Sequence, residues 1–385
     1  MRVFSSGYPS RDAIDIDAFA ALCREPMNRQ LIPHAATVER GIPIYDGAAV
    51  RSWLQHPSEA RAIATEWAQC WDSGPGVLVI RQAYADRSVV DEMSGIFSRL
   101  IAEERVSGVA SAGHFASAGQ STRIWNTLEK SAFVDPRAFI RYYGNPLIAA
   151  ACEAWLGPWY QMTTQVNLVP PGGQAQDPHR DYHLGFQSAE DCGRFPRHAH
   201  AMSQSLVLQG AVAHTDMDLD AGPTRFLPYS QRYLDGHVAW RDPAFTKFFE
   251  ENAVQLAMEI GDAVFFNPSL HHGAGANRRN TDRVVNLFEV SSAFGKPMEL
   301  LNREAICAFV YPTVVAMAQA GDCSDADVVA AIAAMADGYA FPTNLDRVPP
   351  NTPGSNQTAQ ALMMRAVGER WPIEAFRSAL GALRH

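Results

Sequence analysis

The stretch GDAVFFNPSLHHGAGANRRNTDRVVNLF, residues 261–288, contains two apolar runs on either side of a glycine-rich segment. The runs DAVFFN and RVVNLF are short and rich in β-branched and aromatic residues, which is typical of strands. The segment HGAGAN between them has the composition of a turn. The pattern predicts a strand, a Gly-rich turn and a returning strand paired as a hairpin.

Further short runs extend this rhythm towards the N-terminus. QMTTQVNLV (161–169) and SQSLVLQGAVA (203–213) also read as strands, and turns such as PPGG and AGPT separate the runs. Short strands divided by Pro/Gly turns are typical of antiparallel barrels and sandwiches. Residues 156–295 are therefore predicted to form the β core of the protein.

The flanking regions have a helical period. Residues 1–155 are predicted to be helical with one short strand, GVLVI, and residues 296–385 to form a C-terminal helical extension. Within the extension, Ser324 and Asp327 have the spacing of a capping box. We expect one catalytic domain over residues 1–385, in which the extension covers the mouth of the site or mediates dimerisation.

Composition limits the class of protein. The net charge of -9 is spread without basic runs, which weighs against a nucleic-acid substrate. The six cysteines show no CxxC pair, so we expect reduced thiols in a cytoplasmic protein. No window of 18 uninterrupted apolar residues is present, so we expect no membrane partner.

One polar motif follows the first long run. QDPHRDYHLGF places His179 and Asp181 two residues apart, and side chains at that spacing in a strand project from the same face. An imidazole and a carboxylate so placed can bind one metal ion. The motif recurs at His214 and Asp216, so spacing alone leaves two candidates.

The Gly-rich segment supplies the partners that such a site requires. His272 precedes it, and the adjacent His271 is expected on the opposite face of the strand. Arg283 lies among apolar residues, where a buried guanidinium needs an anionic partner. A planar guanidinium binds a carboxylate bidentately, so a metal ligand and a carboxylate-binding cation are expected in one cavity.

Together these motifs resemble the phytanoyl-CoA dioxygenase family of Fe(II)/2-oxoglutarate-dependent oxygenases. The resemblance rests on HRD at 179–181, HGAGAN at 272–277, Arg283 eleven residues after His272, and DAGPTRFLPYSQ at 220–231. It implies a double-stranded β-helix, the cupin-like jelly roll, within an α+β fold of mainly β core and surrounding helices. It also implies that the second motif, at His214 and Asp216, does not bind metal.

The resemblance also implies roles for individual residues. His179, Asp181 and His272 would be the metal ligands and catalytic residues. Arg283 would pair with the distal carboxylate of 2-oxoglutarate, and Asn167 would contact the same cosubstrate. Thr163 and Gln165 share the strand face of Asn167, so they are candidate cofactor-binding residues or a polar lining of the barrel.

The implied reaction is hydroxylation of an unactivated carbon of a small molecule, with Fe(II) as cofactor. The cosubstrates 2-oxoglutarate and O2 are consumed, and succinate and CO2 are formed. Related halogenases carry Gly or Ala at the carboxylate position, so Asp181 favours oxidation. Desaturation, cyclisation and oxidative C–X cleavage remain alternatives. A cupin-type metal- or ligand-binding protein without oxygenase activity is a further one, and Arg283 weighs against it.

The substrate site is less defined by the sequence. Four residues are candidates for lining it or for packing beside it: Tyr182, His183, Phe186 and Trp125. We expect a small-molecule substrate and leave a homodimer open.

Overall fold

The computed structural model describes residues 7–107, 121–341, 346 and 357–383. Two β-sheets form the centre of this part of the chain, and helices surround them. The strands are β1 (Thr37–Glu39), β2 (Ile42–Asp46), β3 (Val77–Arg81), β4 (Thr122–Ile124), β5 (Gln161–Val169), β6 (Val207–Ala213), β7 (Arg225–Phe226), β8 (Ala263–Phe266), β9 (His272–Gly273) and β10 (Arg283–Ser291).

The helices lie before, between and after these strands. They are α1 (Ile16–Cys23), α2 (Gly47–Leu54), α3 (Pro57–Asp72), α4 (Arg87–Ser107), α5 (Thr127–Val134), α6 (Pro136–Tyr143), α7 (Pro146–Leu156), α8 (Ala189–Gly193), α9 (Arg197–Ser205), α10 (Gly236–Ala239), α11 (Pro243–Asn252), α12 (Arg303–Ala320), α13 (Asp325–Met335), α14 (Ala359–Glu369) and α15 (Ile373–Gly381). Among them, no helix is both long and apolar enough to span a bilayer.

The larger sheet has eight strands in the order β1-β2-β3-β8-β6-β10-β5-β4. Four of them precede residue 156, where the sequence predicts one. The missed strands β1, β2 and β4 have three to five residues, too few to show a clear alternation. Because β3 pairs with β8 and β4 pairs with β5, the N-terminal region extends both edges of the predicted core.

Strand β10 lies between β5 and β6 and is antiparallel to both. Its alternate side chains face opposite sides of the sheet, as strand geometry requires. Phe288 and Val290 belong to the apolar core under the helices, whereas Val285 and Leu287 belong to the core between the two sheets. One strand therefore contributes to two cores.

The second sheet faces the larger one. Strand β7 pairs with β9, and single bridges join His179 to His272 and Phe226 to Val254. Phe226 of this sheet packs on Phe266 of β8, with ring centroids 5.1 Å apart. Two facing sheets of antiparallel strands, covered by helices, confirm the predicted α+β jelly roll.

The hairpin predicted for residues 261–288 is wrong. β8 and β10 lie in the same sheet but do not pair, since β6 lies between them and pairs with both, and the intervening β9 pairs with β7 in the smaller sheet. The chain leaves the larger sheet after Phe266, at Asn267 and Pro268. Proline lacks the N–H that would continue the ladder, which accounts for the end of β8.

The C-terminal helices pack on the outside of the larger sheet. α12 and α13 contact α5, α6 and α7, and Tyr311 of α12 stacks on Phe376 of α15 with centroids 4.0 Å apart. The predicted capping box of Ser324 and Asp327 begins α13, which confirms that prediction. The extension thus shares one apolar core with the N-terminal helices. Dimerisation through this extension stays a prediction.

The two faces of β10 predict different costs of truncation. Phe288→Ala removes a side chain that is 1% exposed, and we expect it to destabilise the protein by about 3–5 kcal/mol. Leu287→Ala on the opposite face borders a cavity already present, so its cost should be clearly smaller. Urea unfolding of both variants measures the difference, and equal losses would contradict the assignment of the two faces.

Candidate functional site

Two imidazoles face each other across a main-chain bridge. The N–H of His179 donates to the carbonyl of His272 at 2.9 Å, and the N–H of His272 donates back at 3.1 Å. Each ring has its Nδ1 2.8 Å from a carbonyl oxygen, of Asp177 for His179 and of Leu270 for His272. A carbonyl can only accept, so Nδ1 carries the proton and the lone pair is on Nε2.

Asp181 completes this group. Its Oδ2 lies 3.7 Å from Nε2 of His179 and 3.4 Å from Nε2 of His272. One ligand atom from each residue lies within 4.8 Å of the others, so all three can meet one ion. His179 enters a single bridge, not the strand that the HxD spacing predicts, but the extended chain still brings both side chains together.

The electrostatics of the three residues fit a divalent cation. Burial lowers the pKa of His179 to about 4, so the imidazole is neutral near pH 7, as a metal ligand must be. Burial alone would raise the pKa of Asp181, but His179, His272 and the Gln209 amide outweigh it and hold that pKa below its usual value. The buried Oδ1 of Asp181 has no hydrogen-bond partner among the described residues. An unpaired carboxylate oxygen beside two imidazole nitrogens suits a cation.

The second HxD motif has a different environment. His214 is buried in the core, with Nδ1 2.7 Å from the Ser94 hydroxyl and Nε2 2.8 Å from the Tyr142 hydroxyl. Asp216 accepts a hydrogen bond from the N–H of Ile260. Because hydroxyl partners occupy both ring nitrogens of His214, this motif is unsuited to bind a metal.

His271, the neighbour of His272, points away from the group. Its N–H donates to the Ser230 hydroxyl at 2.8 Å, and its ring packs on Phe19 with centroids 5.0 Å apart. Burial lowers the pKa of His271 well below its usual value. Adjacent residues in an extended chain face opposite sides, which leaves His272 alone of this pair beside Asp181.

Arg283 lies at the start of β10, and its side chain is buried. It donates to three main-chain carbonyls, those of Gly222, Gly275 and Ala221. Among the described residues no carboxylate forms an ion pair with it, and burial lowers its pKa only to about 10, so it stays charged at neutral pH. A buried, charged guanidinium without a counter-ion is suited to bind an anion.

Glycines allow the main-chain carbonyls around Arg283 to lie close together. Gly222 has φ +71°, and a Cβ there would meet the main chain of Gly275 and Ala276. The predicted turn motifs AGPT and HGAGAN therefore touch each other, and each gives at least one carbonyl to Arg283. Steric contact between two turns explains glycine at these positions.

A cavity between the sheets joins the two polar groups. His179, Asp181 and His272 line it together with Arg283 and Asn167. The Oδ1 of Asn167 is buried without a hydrogen-bond partner in the described residues, so this side chain has capacity for a ligand.

Thr163 and Gln165 are placed differently from Asn167. The Thr163 hydroxyl donates to the carbonyl of Glu289 at 2.9 Å, and Gln165 accepts from Arg123 at 2.6 Å. Neither lines the cavity. They share the strand face of Asn167 but are used in contacts within the protein, so the structure does not favour cofactor binding by them.

The four candidate substrate residues differ in their position relative to the cavity. Phe186 lines the cavity, and Trp125 lies against the guanidinium of Arg123, which also lines it. Tyr182 donates instead to the carbonyl of Lys296, and the ring of His183 lies 4.2 Å from that of Tyr182. Phe186 is the candidate that borders the cavity directly.

Three polar residues of the cavity were not identified from the sequence. Gln209 of β6, Glu289 of β10 and Arg123 of β4 line it close to Asp181. Glu289 could have been found, because alternation from Arg283 along β10 reaches it. Burial, with the charge of Asp181 second, raises the pKa of Glu289 to about 8. Gln209 and Arg123 depend on pairing between distant strands, which no local pattern reveals.

Comparison with known proteins gives related sequences. The family model described as phytanoyl-CoA dioxygenase (PhyH) matches residues 73–285, more than half of the chain. An uncharacterized protein of Saccharomyces cerevisiae is 30% identical over 36% of this chain and 36% of its own length. Dioxygenase andF of Emericella variicolor is 29% identical over 36% of this chain and 45% of its own. The chain thus matches less than half the length of these relatives.

Solved structures show more distant likeness. The non-heme alpha ketoglutarate dependent epimerase SnoN from nogalamycin biosynthesis is 19% identical, with a TM-score of 0.43, over 60% of this chain and 84% of that one.

The contact between the two turns predicts the effect of a methyl group at Gly222. Gly222→Ala and Gly321→Ala both place an L-residue at φ +71°, which costs about 1–2 kcal/mol. Gly321 has open space around its Cβ position, whereas Gly222 meets main chain. We expect a larger fall in Tm for Gly222→Ala, measured by thermal unfolding, and equal falls would count against the turn contact.

Proposed function

This chain belongs to the phytanoyl-CoA dioxygenase family, and we propose that it is an Fe(II)/2-oxoglutarate-dependent dioxygenase that hydroxylates an unactivated carbon of a small molecule. One oxygen atom of O2 would enter the substrate as hydroxyl and the other would enter succinate, with release of CO2. The observation that carries the proposal is that a His-Asp-His group and the buried cation Arg283 line the same cavity.

His179, Asp181 and His272 would hold the iron. Two imidazoles and one carboxylate are the ligand set of non-haem Fe(II) oxygenases, and three protein ligands leave coordination positions open. The bound iron supplies the activation of dioxygen, coupled to oxidative decarboxylation of 2-oxoglutarate. The chain's own part is to orient both imidazoles, through the carbonyls of Asp177 and Leu270.

Arg283 would bind the distal carboxylate of 2-oxoglutarate. Its charge is retained, and its three carbonyl partners hold the guanidinium in place without neutralising it. Asn167 would add a polar contact from the neighbouring strand. Ala274, two residues after His272, has no hydroxyl that could bind 2-oxoglutarate. We therefore assign most of the cosubstrate affinity to Arg283.

The proposed reaction is tested with the purified full chain. Anaerobic addition of Fe(II) and 2-oxoglutarate should produce a weak visible charge-transfer band, and exposure to air should then yield succinate. A protein that gives neither signal is not an oxygenase of this type, and the cupin-type binding protein would replace the proposal. If succinate forms together with a desaturated, cyclised or cleaved product, hydroxylation is refuted, but the use of Fe(II) and 2-oxoglutarate is not.

Substitution of the proposed ligands should remove the metal. We expect His179→Ala and Asp181→Ala to lose iron, because each removes one of three ligands. His214→Gln serves as the matched control, since glutamine can still pair with the Ser94 and Tyr142 hydroxyls. Iron content after anaerobic reconstitution is measured by mass spectrometry. If the His214 variant loses iron and the other two variants retain it, the proposal has assigned the metal to the wrong HxD motif.

Removal of the Arg283 charge should weaken the binding of 2-oxoglutarate. Arg283→Gln is expected to raise the KM for 2-oxoglutarate by about tenfold to a hundredfold, the usual value of one charged hydrogen bond. The matched control is Arg279→Gln, an exposed arginine of the same segment that pairs with Asp218. Initial rates of succinate formation at varied 2-oxoglutarate concentration give the KM of each variant. An unchanged KM in the Arg283 variant would refute this role.

A further inference from the structure

The end of the cavity remote from Arg283 holds a second polar group. Glu289 lies six residues further along the same face of β10, about 20 Å away at the rise of a strand. Gln209 of β6 is its register partner. Both side chains are buried, with 4% and 3% exposure, and both line the cavity.

Hydrogen bonds fix the orientation of the Gln209 amide. Its Nε2 donates to Oδ2 of Asp181 at 2.7 Å and to Oε1 of Glu289 at 2.9 Å. A flipped amide would place its oxygen against two carboxyl groups, so the nitrogen must face them. Both N–H bonds of the Gln209 amide are therefore used within the protein, and the amide oxygen is left as a free acceptor.

Two acceptor atoms at this end have no hydrogen donor. Oε1 of Gln209 and Oε2 of Glu289 are buried and lack a hydrogen-bond partner in the described part of the chain. Buried acceptors in folded proteins are almost always satisfied, by protein, water or ligand. Neighbouring acceptors on the wall of a cavity match a ligand group that donates more than one hydrogen bond.

Charge favours a cationic donor. Glu289 and Arg123 both line this end of the cavity, and the charge of Arg123 interacts with Glu289, Asp181 and Glu299. The one guanidinium is thus shared among three carboxyl groups, and burial raises the pKa of Glu289 to about 8; an ammonium group against Oε2 would favour the charged form of Glu289.

The surfaces beside this group are apolar. Leu287 precedes Glu289 on the inner face of β10, and Phe186 and Met298 line the same cavity. An alkyl or ring skeleton attached to the donor would be removed from water against these side chains.

We propose, resting on the proposed function, that Glu289 and Gln209 form the substrate-recognition subsite and bind the amine of a substrate with an apolar skeleton. Glu289 accepts hydrogen bonds from the ammonium through Oε2, and Gln209 accepts through Oε1. Because the same Gln209 amide holds Asp181, the amine is bound beside the residues proposed to hold the metal. Glu289 is thus a specificity-determining residue.

The test compares three ligands that share one carbon chain: hexylamine, 1-hexanol and hexanoate. They are titrated calorimetrically into the full chain loaded with Fe(II) and 2-oxoglutarate under anaerobic conditions, where no turnover occurs. We expect hexylamine to bind at least tenfold more tightly than 1-hexanol, and hexanoate to bind least. Glu289→Gln should remove the preference for the amine and leave 1-hexanol binding within about twofold. The exposed Glu103→Gln, on α4, is the control and should retain the preference.

The outcomes separate this inference from the proposed function. Equal affinities of the three ligands for the unsubstituted chain, or no binding of hexylamine, overturn the subsite, while iron and 2-oxoglutarate binding in the same samples would leave the function standing. A preference for the amine that persists in Glu289→Gln also overturns it. A preference that depends on Glu289 in a chain that forms no succinate would support the subsite and refute the oxygenase.

Discussion

Strand β10 is hydrogen-bonded to β5 along all nine of its residues and to β6 along seven. This double pairing fixes its register, and register decides which side chains enter the cavity, because a slip by one residue would exchange the two faces. In the observed register, Arg283 and Glu289 reach the two ends of the cavity, and Phe288 supports the helices outside. The positions of Arg283 and Glu289 on the cavity wall therefore depend on the main-chain pairing of β10.

The group of His179, Asp181 and His272 depends on the same kind of bond in the smaller sheet. The bridge between His179 and His272 joins segments separated by more than ninety residues, and it sets the two imidazoles 4.5 Å apart. Asp181 follows two residues after His179, and its N–H donates to the carbonyl of Pro268 while its carboxylate accepts from Gln209. Main-chain carbonyls then choose the tautomer of each ring.

Much of this arrangement could be predicted, and the reason lies in covalent spacing. HRD and the eleven residues from His272 to Arg283 are local patterns, and extended geometry converts them into positions on a face. The hairpin failed because Pro268 sends the chain to the second sheet, a choice that composition does not encode. Gln209 and Arg123 escaped notice because their place depends on pairing with strands far away in the sequence. The inertness of His214 likewise depends on Ser94 and Tyr142, which only the folded chain brings to it.

The contact between Gly222 and Gly275 has a consequence for how such a protein can diverge. The Arg283 end is built from main-chain carbonyls in two turns with no room for a methyl group, so a change in one turn requires a matching change in the other. The Glu289 end is built from side chains on strands whose backbone does not depend on them. Drift and laboratory selection should therefore alter the side chains of the Glu289 end readily, while the Arg283 end is passed on unchanged.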